Sequence, residues 1–466
     1  MNSSDMAMNR RSALKNLGAG MAGMMGMSVF GDQTDGDPNT SYAPHVRRIN
    51  PFPTDVESAT ISGGRVIQPM RELPVFHETD IVVVGGGPAG VAAAIAAARG
   101  GAKVALVERY GSLGGLFTNG LVLIFVGMGV REDGKFRMCT RGFCEEFICR
   151  LEKMGPGCIT KRPAPGGIWN PTADPEATKV LMDEMVREAG VEMFFHAWGV
   201  DVIQVGNEVK GVVFESKEGR KAILAKQVID TTGDGDVFFQ AGAEYEQITH
   251  SIGFCFQIGG MDRLNPSKSP QERRFPIRSN QPNPTFFWKN QKSVKGNGLS
   301  VRELTAAEMH HRRTAWKYVS DMRSQPGFEA AYLAGTCSQI GVRATRLMKG
   351  LATVSKRDDA VMRGLTIPDA VAVSGSEGLR SPEFGIPYGC LLPANVENVL
   401  VAGRCISCSP DIVDRIRLFP VCFVTGQAAG VAAAMAVKRG CSPKQLDVGD
   451  IRKALLSQGA YLGKEA

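Results

Sequence analysis

Hydrophobic residues in this chain gather into short continuous runs that end at glycine. Ile81-Val82-Val83-Val84 is four apolar β-formers in a row, the pattern of a strand buried on both faces. It runs into Gly85-Gly86-Gly87-Pro88-Ala89-Gly90, and an alanine-rich helix follows over 91–99. A second strand reads over 103–107. Asp174-Pro175 then opens a helix that stops at Gly190, with Asp as N-cap and Pro at the first helical position. Strand-like runs succeed it at 191–195, 209–215 and 222–229. From 246 to 335 Pro, Asn, Gln, Arg and aromatics rise, strands become hard to place, and a polar helix reads over 306–323. Val399-Leu400-Val401-Ala402-Gly403 is another buried strand meeting a glycine, and a helix with small residues on every face closes the pattern over 426–438.

The first strand, turn and helix carry the most specific chemistry. Gly85, Gly87 and Gly90 have the G-x-G-x-x-G spacing, which permits a tight turn and lets the helix N-terminus aim free N–H groups at a pyrophosphate. Glu108 ends the second strand about twenty residues on, where an acidic side chain binds a ribose hydroxyl. Together they predict a dinucleotide site. A second glycine fingerprint for NAD(P)H does not follow, so one dinucleotide, a large insert and a return to the nucleotide fold describe a flavoprotein with a substrate cap.

Composition adds an address and removes some alternatives. The chain has 466 residues, 43% hydrophobic and 22% charged, enough for sizeable cores. Arg10, Arg11 and Lys15 against Asp5 place +2 of the net charge of +7 in residues 1–31, and the remaining +5 is spread rather than clustered, which argues against nucleic acid. No apolar run long enough for a membrane span is expected. Asn9-Arg10-Arg11-Ser12-Ala13-Leu14-Lys15, followed by a Gly/Met/Ala-rich segment, is similar to a twin-arginine signal, which implies the twin-arginine export machinery as a partner and a periplasmic or secreted location. A cytoplasmic N-terminal helix is the alternative. Eleven cysteines in so long a chain do not make a disulfide scaffold. Cys405-Ile406-Ser407-Cys408 has redox-motif spacing inside a glycine-flanked stretch, and no Cys/His grouping has metal-ligand spacing.

Several segments jointly resemble one family. They are 80–108, Leu113-Gly114-Gly115, Asp230-Thr231-Thr232-Gly233-Asp234-Gly235-Asp236, Ile340-Gly341-Val342-Arg343 with Arg346, Ile386-Pro387-Tyr388, and Ala402-Gly403-Arg404 through Gly426-Gln427-Ala428. The stretch 74–440 resembles the FAD-dependent oxidoreductases related to the succinate dehydrogenase and fumarate reductase flavoproteins. That resemblance implies an α/β fold, a Rossmann-like FAD-binding domain of three ββα layers with an inserted cap. The segments become a signal (1–31), an extended leader (32–73), the FAD domain (74–245 and 336–440), the insert (246–335) and a tail (441–466).

The resemblance also implies roles. Gly85, Gly87, Pro88, Ala89 and Gly90 would hold the pyrophosphate, with Glu108 and Arg109 at the adenosine ribose. Gly114 and Gly115 would border the pyrophosphate or the ribityl chain, Gly233 would close over the adenine side, and Gly403 and Arg404 would approach the ribityl chain. Gly426, Gln427 and Ala428, as a helix N-terminus, would face the flavin pyrimidine, where the helix dipole favours negative charge on the reduced ring. FAD would be held non-covalently.

For catalysis four residues stand out, each with a plainer alternative. His250 is an active-site base or a hydrogen-bonded structural histidine. Arg343, three before Arg346, binds a carboxylate, shuttles a proton or makes a structural ion pair. Of Arg415 and Arg417 one reaches the flavin and the other solvent, Arg415 being the candidate taken. Tyr388 donates to substrate or caps a turn. Phe286-Phe287-Trp288 walls a pocket or packs the insert, and His310 and His311 read as solvated. The function expected is hydride transfer between FAD and a small polar organic substrate (carbohydrate, hydroxy acid or dicarboxylate), with an external electron acceptor or donor. A redox-neutral flavoenzyme or an electron-transfer subunit are the rivals.

Overall fold

In the computed structural model, residues 58–463 are described except 164–166, 168, 269–273, 359, 362–363, 365–366 and 377–380. The twin-arginine motif and most of the leader lie outside these residues. Contacts divide the chain into residues 1–71 and 72–466. In the first, β1 (Thr60–Ser62) and β2 (Arg65–Ile67) form an exposed antiparallel hairpin around Gly63-Gly64.

In the second, the apolar run at 81–84 is the buried half of β3 (Val75–Val84). It lies parallel to β4 (Val104–Val107), which lies parallel to β7 (Glu192–Phe194). On its other edge β3 pairs with β10 (Gly219–Asp230), Val84 opposite Asp230. The last three residues of β10 pair in parallel with β19 (Val399–Val401). Its first half pairs antiparallel with β9 (Glu208–Ser216), which pairs with β8 (Trp198–Val205). One long strand thus belongs both to a parallel sheet and to a meander.

The layers follow from side-chain size. Helices α1 (Pro88–Arg99) and α7 (Phe419–Arg439) share one face of the sheet. Their backbones meet so closely that a Cβ on Gly426 or Gly430 would stand 2.2 Å from the carbonyl oxygen of Ala89 or Ala93. On the other face Gly199 of β8 lies against Val84, a Cβ there standing 2.6 Å from its Cγ1. Helix, parallel sheet and meander make the three ββα layers. Every parallel strand ends at one edge, where Gly85, Glu108, Thr231 and Ala402 begin the loops; ligands of open α/β sheets bind at that edge.

Two expectations need correction here. Helix α7 starts at Phe419, with Pro420 in its first turn, so Gly426 lies two turns inside and is not the N-terminus. Its 21 residues also make a run long and apolar enough to cross a bilayer, with mean hydropathy 1.6, but it is buried inside the fold as a core helix.

The insert has its own core. Strand β12 (His250–Gly259) is flanked by β13 (Phe287–Gly296) and β14 (Tyr332–Thr336), and β15 (Gly341–Val342) pairs with its start. Helix α5 (Val301–Arg323), capped by Ser300, packs Ala315, Val319 and Met322 against Phe254 and Phe256. The sheet therefore continues to Val342, past the boundary expected at 335. His311, expected in solvent, is fully buried and stacked on Phe254 at 5.4 Å.

Candidate active site

The three glycines of the turn do different work. A Cβ on Gly90 would stand 1.8 Å from the carbonyl oxygen of Gly85, and one on Gly85, whose φ is +102°, would stand 2.6 Å from that of Thr231. Both are needed to pack the helix start onto the strands. A Cβ on Gly87 would meet nothing within 4 Å. Its Cα faces a cleft, so the N-terminus of α1 is open to whatever lies there.

That cleft runs along the sheet edge. Gly85, Gly87, Pro88 and Ala89 line it at the turn, Glu108 and Arg109 beyond β4, Gly115 and Gly233 in the facing loops, and Gly403 and Arg404 after β19. Gly90 and Gly114 stand behind this surface; the Gly114 N–H donates to the Gly86 carbonyl at 2.8 Å. Arg417 also lines the cleft, as do Trp198, Tyr110, Gln339 and Cys422, four residues that no local sequence pattern marks. Arg109 lies 5.0 Å from the Tyr110 ring centre and 5.6 Å from that of Trp198.

Glu108 holds the turn as well as facing the cleft. The Gly86 N–H donates to one carboxylate oxygen at 2.6 Å and the Tyr110 N–H to the other at 2.9 Å. Burial raises its pKa against the pull of those two bonds. Asp230 does the same for the opposite loop. It accepts from the Thr232 N–H and hydroxyl and from the Val237 and Phe238 N–H groups, so it caps the short helix α4 (Asp236–Gln240). Burial pushes its carboxyl up to about 6.

These residues fit FAD. The open Cα of Gly87 suits close approach of a pyrophosphate, and Oε1 of Gln339 is buried beside the cleft with no hydrogen-bond partner among the described residues. Gly85, Gly87 and the start of α1 would hold the pyrophosphate, with Glu108 and Arg109 at the adenosine end. The N-terminus of α7 at Phe419, rather than Gly426, would face the flavin. Gln427 instead bridges within the core, accepting from the Phe143 N–H at 3.0 Å and donating to Gln458 at 3.1 Å, and Ala428 is fully buried. The small residues Gly426 and Ala428 serve helix packing, which explains why they read as close-approach positions.

A second cavity, of about 370 Å³, opens beside the cleft. Leu116, Arg404, Arg417 and Phe419 line both, so the two meet at the start of α7. Val122, Ile124, Val126 and Trp288 form an apolar wall, and Arg343, Asp414 and Asn290 a polar one. The Trp288 indole N–H donates to the Leu121 carbonyl; this residue both walls the cavity and, with its neighbour Phe287, packs against the core of the insert.

Three guanidinium groups reach this junction. Arg404 is paired with Asp234 at 2.8 Å and donates to the Val342 carbonyl at 3.0 Å. Arg417 is paired with Asp414 through Nε at 2.8 Å and Nη2 at 2.7 Å. Arg343, half-buried, donates to two serine hydroxyls, Ser251 at 2.6 Å and Ser293 at 3.0 Å, and has no carboxylate partner among the described residues. Burial and the nearby Arg417 lower its pKa. Arg346 is used elsewhere: it holds Asp236 at 3.1 Å and covers the Phe239 ring.

The other candidates sit apart. Tyr388 is buried and donates to the Pro443 carbonyl at 3.0 Å, so it ties the chain to the C-terminal segment, away from both cavities. Arg415 lines neither cavity, because 413–416 forms a single helical turn, α6 (Val413–Ile416), rather than an extended loop. Arg417 takes the place expected of it. His250 lies behind Asp414, its Nε2 3.6 Å from Oδ1. Cys405 and Cys408 are free, buried thiols with pKa values raised by burial, unsuited to thiolate chemistry.

Parts of this chain are similar to known proteins. A thiamine thiazole synthase of Pyrococcus abyssi is 29% identical over 193 residues, covering 39% of this chain and 67% of that protein. A dihydrolipoyl dehydrogenase of Trypanosoma brucei brucei is 55% identical over 49 residues, 10% of each chain. Among solved structures, a geranylgeranyl bacteriochlorophyll reductase-like protein of Thermoplasma acidophilum covers 83% of this chain and 84% of its own, at 14% identity and a TM-score of 0.44. The family described as FAD dependent oxidoreductase matches residues 80–455, and this chain belongs to it.

Proposed function

We propose that this FAD-dependent oxidoreductase acts on a small organic acid, a hydroxy acid or a dicarboxylate, whose anionic group is received by Arg343 and Arg417. The observation that carries this is the half-buried guanidinium of Arg343, which donates to two serine hydroxyls and has no paired carboxylate among the described residues. Drawing a charge out of water is costly, and a carboxylate entering the cavity would pair with it directly, beyond the longer-range pull of Asp414. A neutral carbohydrate would not. The apolar wall from Val122 to Val126 would then receive the carbon skeleton. This reading keeps the chain near the dicarboxylate-handling flavoproteins, on the strength of the arginines alone.

When bound, FAD supplies hydride acceptance or donation. The chain's own groups orient and shield. Arg343, fixed by two serines, and Arg417, fixed by Asp414, direct the acid group. Leu116 and Phe419 exclude water where cleft and cavity meet, and the N-terminus of α7 favours negative charge there.

Arg343→Met should raise KM for the acid about 100-fold, the ~3 kcal/mol scale of a lost charge-assisted hydrogen bond, while flavin content stays at wild-type level. An unchanged KM would remove the anion reading. For location, we propose export by the twin-arginine route on the Arg10-Arg11 motif. Replacing both by lysine should retain the protein in the cytoplasm, and undiminished export would rule this route out.

A further inference from the structure

We propose that His250 is a positioning residue, which governs how Arg343 and Arg417 meet an anion, and not the base of the reaction. The proposal rests on the anion-binding reading of the cavity. His250 opens β12, and its Nδ1 receives the Ser251 N–H at 2.8 Å and lies 3.2 Å from the Ser251 hydroxyl. That hydroxyl oxygen accepts from Nη1 of Arg343 at 2.6 Å, so its own hydrogen is free to turn to Nδ1. With Nδ1 an acceptor, the neutral ring carries its proton on Nε2, 3.6 Å from Oδ1 of Asp414. The same oxygen holds Nε and Nη2 of Arg417. A continuous chain of side chains, Arg343–Ser251–His250–Asp414–Arg417, therefore joins the two guanidinium groups from behind the cavity.

In this arrangement the ring offers substrate no lone pair, since one nitrogen is occupied and the other carries hydrogen. Protonation of Nδ1 changes the chain at both ends. Nδ1 stops accepting from Ser251, and the imidazolium competes with Arg417 for Asp414. One guanidinium is released toward the cavity and one positive charge is added behind it, and both changes favour an anion. The charged groups acting on the ring are Asp414 on α6, Arg417 before α7 and Arg343 after β15, with Lys295 of β13 opposite Ser251 in register. Burial, Arg417 and Arg343 lower the ring's pKa and Asp414 opposes them, a balance that favours the neutral ring.

The test uses the full-length holoprotein and methanesulfonate, an anion that does not titrate between pH 5 and 8. Calorimetry should show binding about tenfold tighter at pH 5 than at pH 8, within the usual range of site-to-site coupling, with proton uptake on binding. His250→Gln keeps a donor toward Asp414 and has no titrating group; it should lose the pH dependence of binding. Binding that does not vary with pH in the wild type, or that varies equally in the variant, would overturn the role of His250 alone. No methanesulfonate binding at any pH would overturn the anion reading with it. Ring-nitrogen NMR of the unsubstituted protein gives an independent check: the Nε2–H tautomer is expected, and an Nδ1–H tautomer contradicts the proposal.

Discussion

At the residue scale, contacts separate glycines that look alike in the sequence. Gly87 faces open space, whereas Gly90 is pressed against the Gly85 carbonyl. Gly87→Val should therefore fold with a near-normal apo melting temperature and lose its flavin, read as the flavin-to-protein absorbance ratio. Gly90→Val should lose stability first, because the backbone it meets cannot yield. Buried His311 makes a second prediction. Burial lowers its pKa from the usual 6.5, so the folded protein binds that proton less readily than the unfolded chain. Its contribution to stability is full above pH 6.5 and falls as the pH drops toward the lowered value. Urea unfolding between pH 7.5 and 5 should show this loss, and His311→Gln should flatten it.

At the element scale, the glycine turn and the strand ending in Glu108 were legible because their signals lie within thirty residues of one another. The helix opened by Asp174 was legible for the same reason: its cap accepts from the Glu176 and Ala177 N–H groups. Strand β8 was not, because it is only half-buried and mixes polar and apolar residues without clean alternation. The start of α7 was misplaced because Phe419 to Thr425 reads equally well as strand, and Pro420 had to be recognised as a first-turn proline. Gly430 shows what the small residues of α7 do. Gly430→Val should cost about 3 kcal/mol, the upper range of overpacking a tight interior, and lower the melting temperature. A neutral outcome would mean that α1 and α7 can separate. Asp230 is the corresponding element-scale anchor on the loop side. Asp230→Ala leaves four donors without their acceptor and should release flavin as well as stability.

At the scale of the whole molecule, a cofactor cleft legible in the sequence adjoins a cavity that was not. Arg343 after β15, Arg417 before α7 and Trp288 on β13 come from three segments far apart in the chain, and only the fold of the insert over the sheet edge brings them together. No spacing rule connects them, and only the helical turn at 413–416 settles that Arg417, rather than Arg415, lines the cavity. The charge balance at the junction, three guanidinium groups against the carboxylates of Asp234 and Asp414, is the central claim about what the molecule acts on. The most direct measurement is the visible spectrum of the anaerobic holoprotein while matched pairs are titrated, each acid against its neutral amide or against a sugar. Bleaching of the flavin band by a hydroxy acid or dicarboxylate, and not by its neutral counterpart, is the result expected of a dehydrogenase; for a reductase, the prereduced band should return with the acid alone. Equal responses to neutral and anionic compounds, or a response to sugars only, would contradict the account.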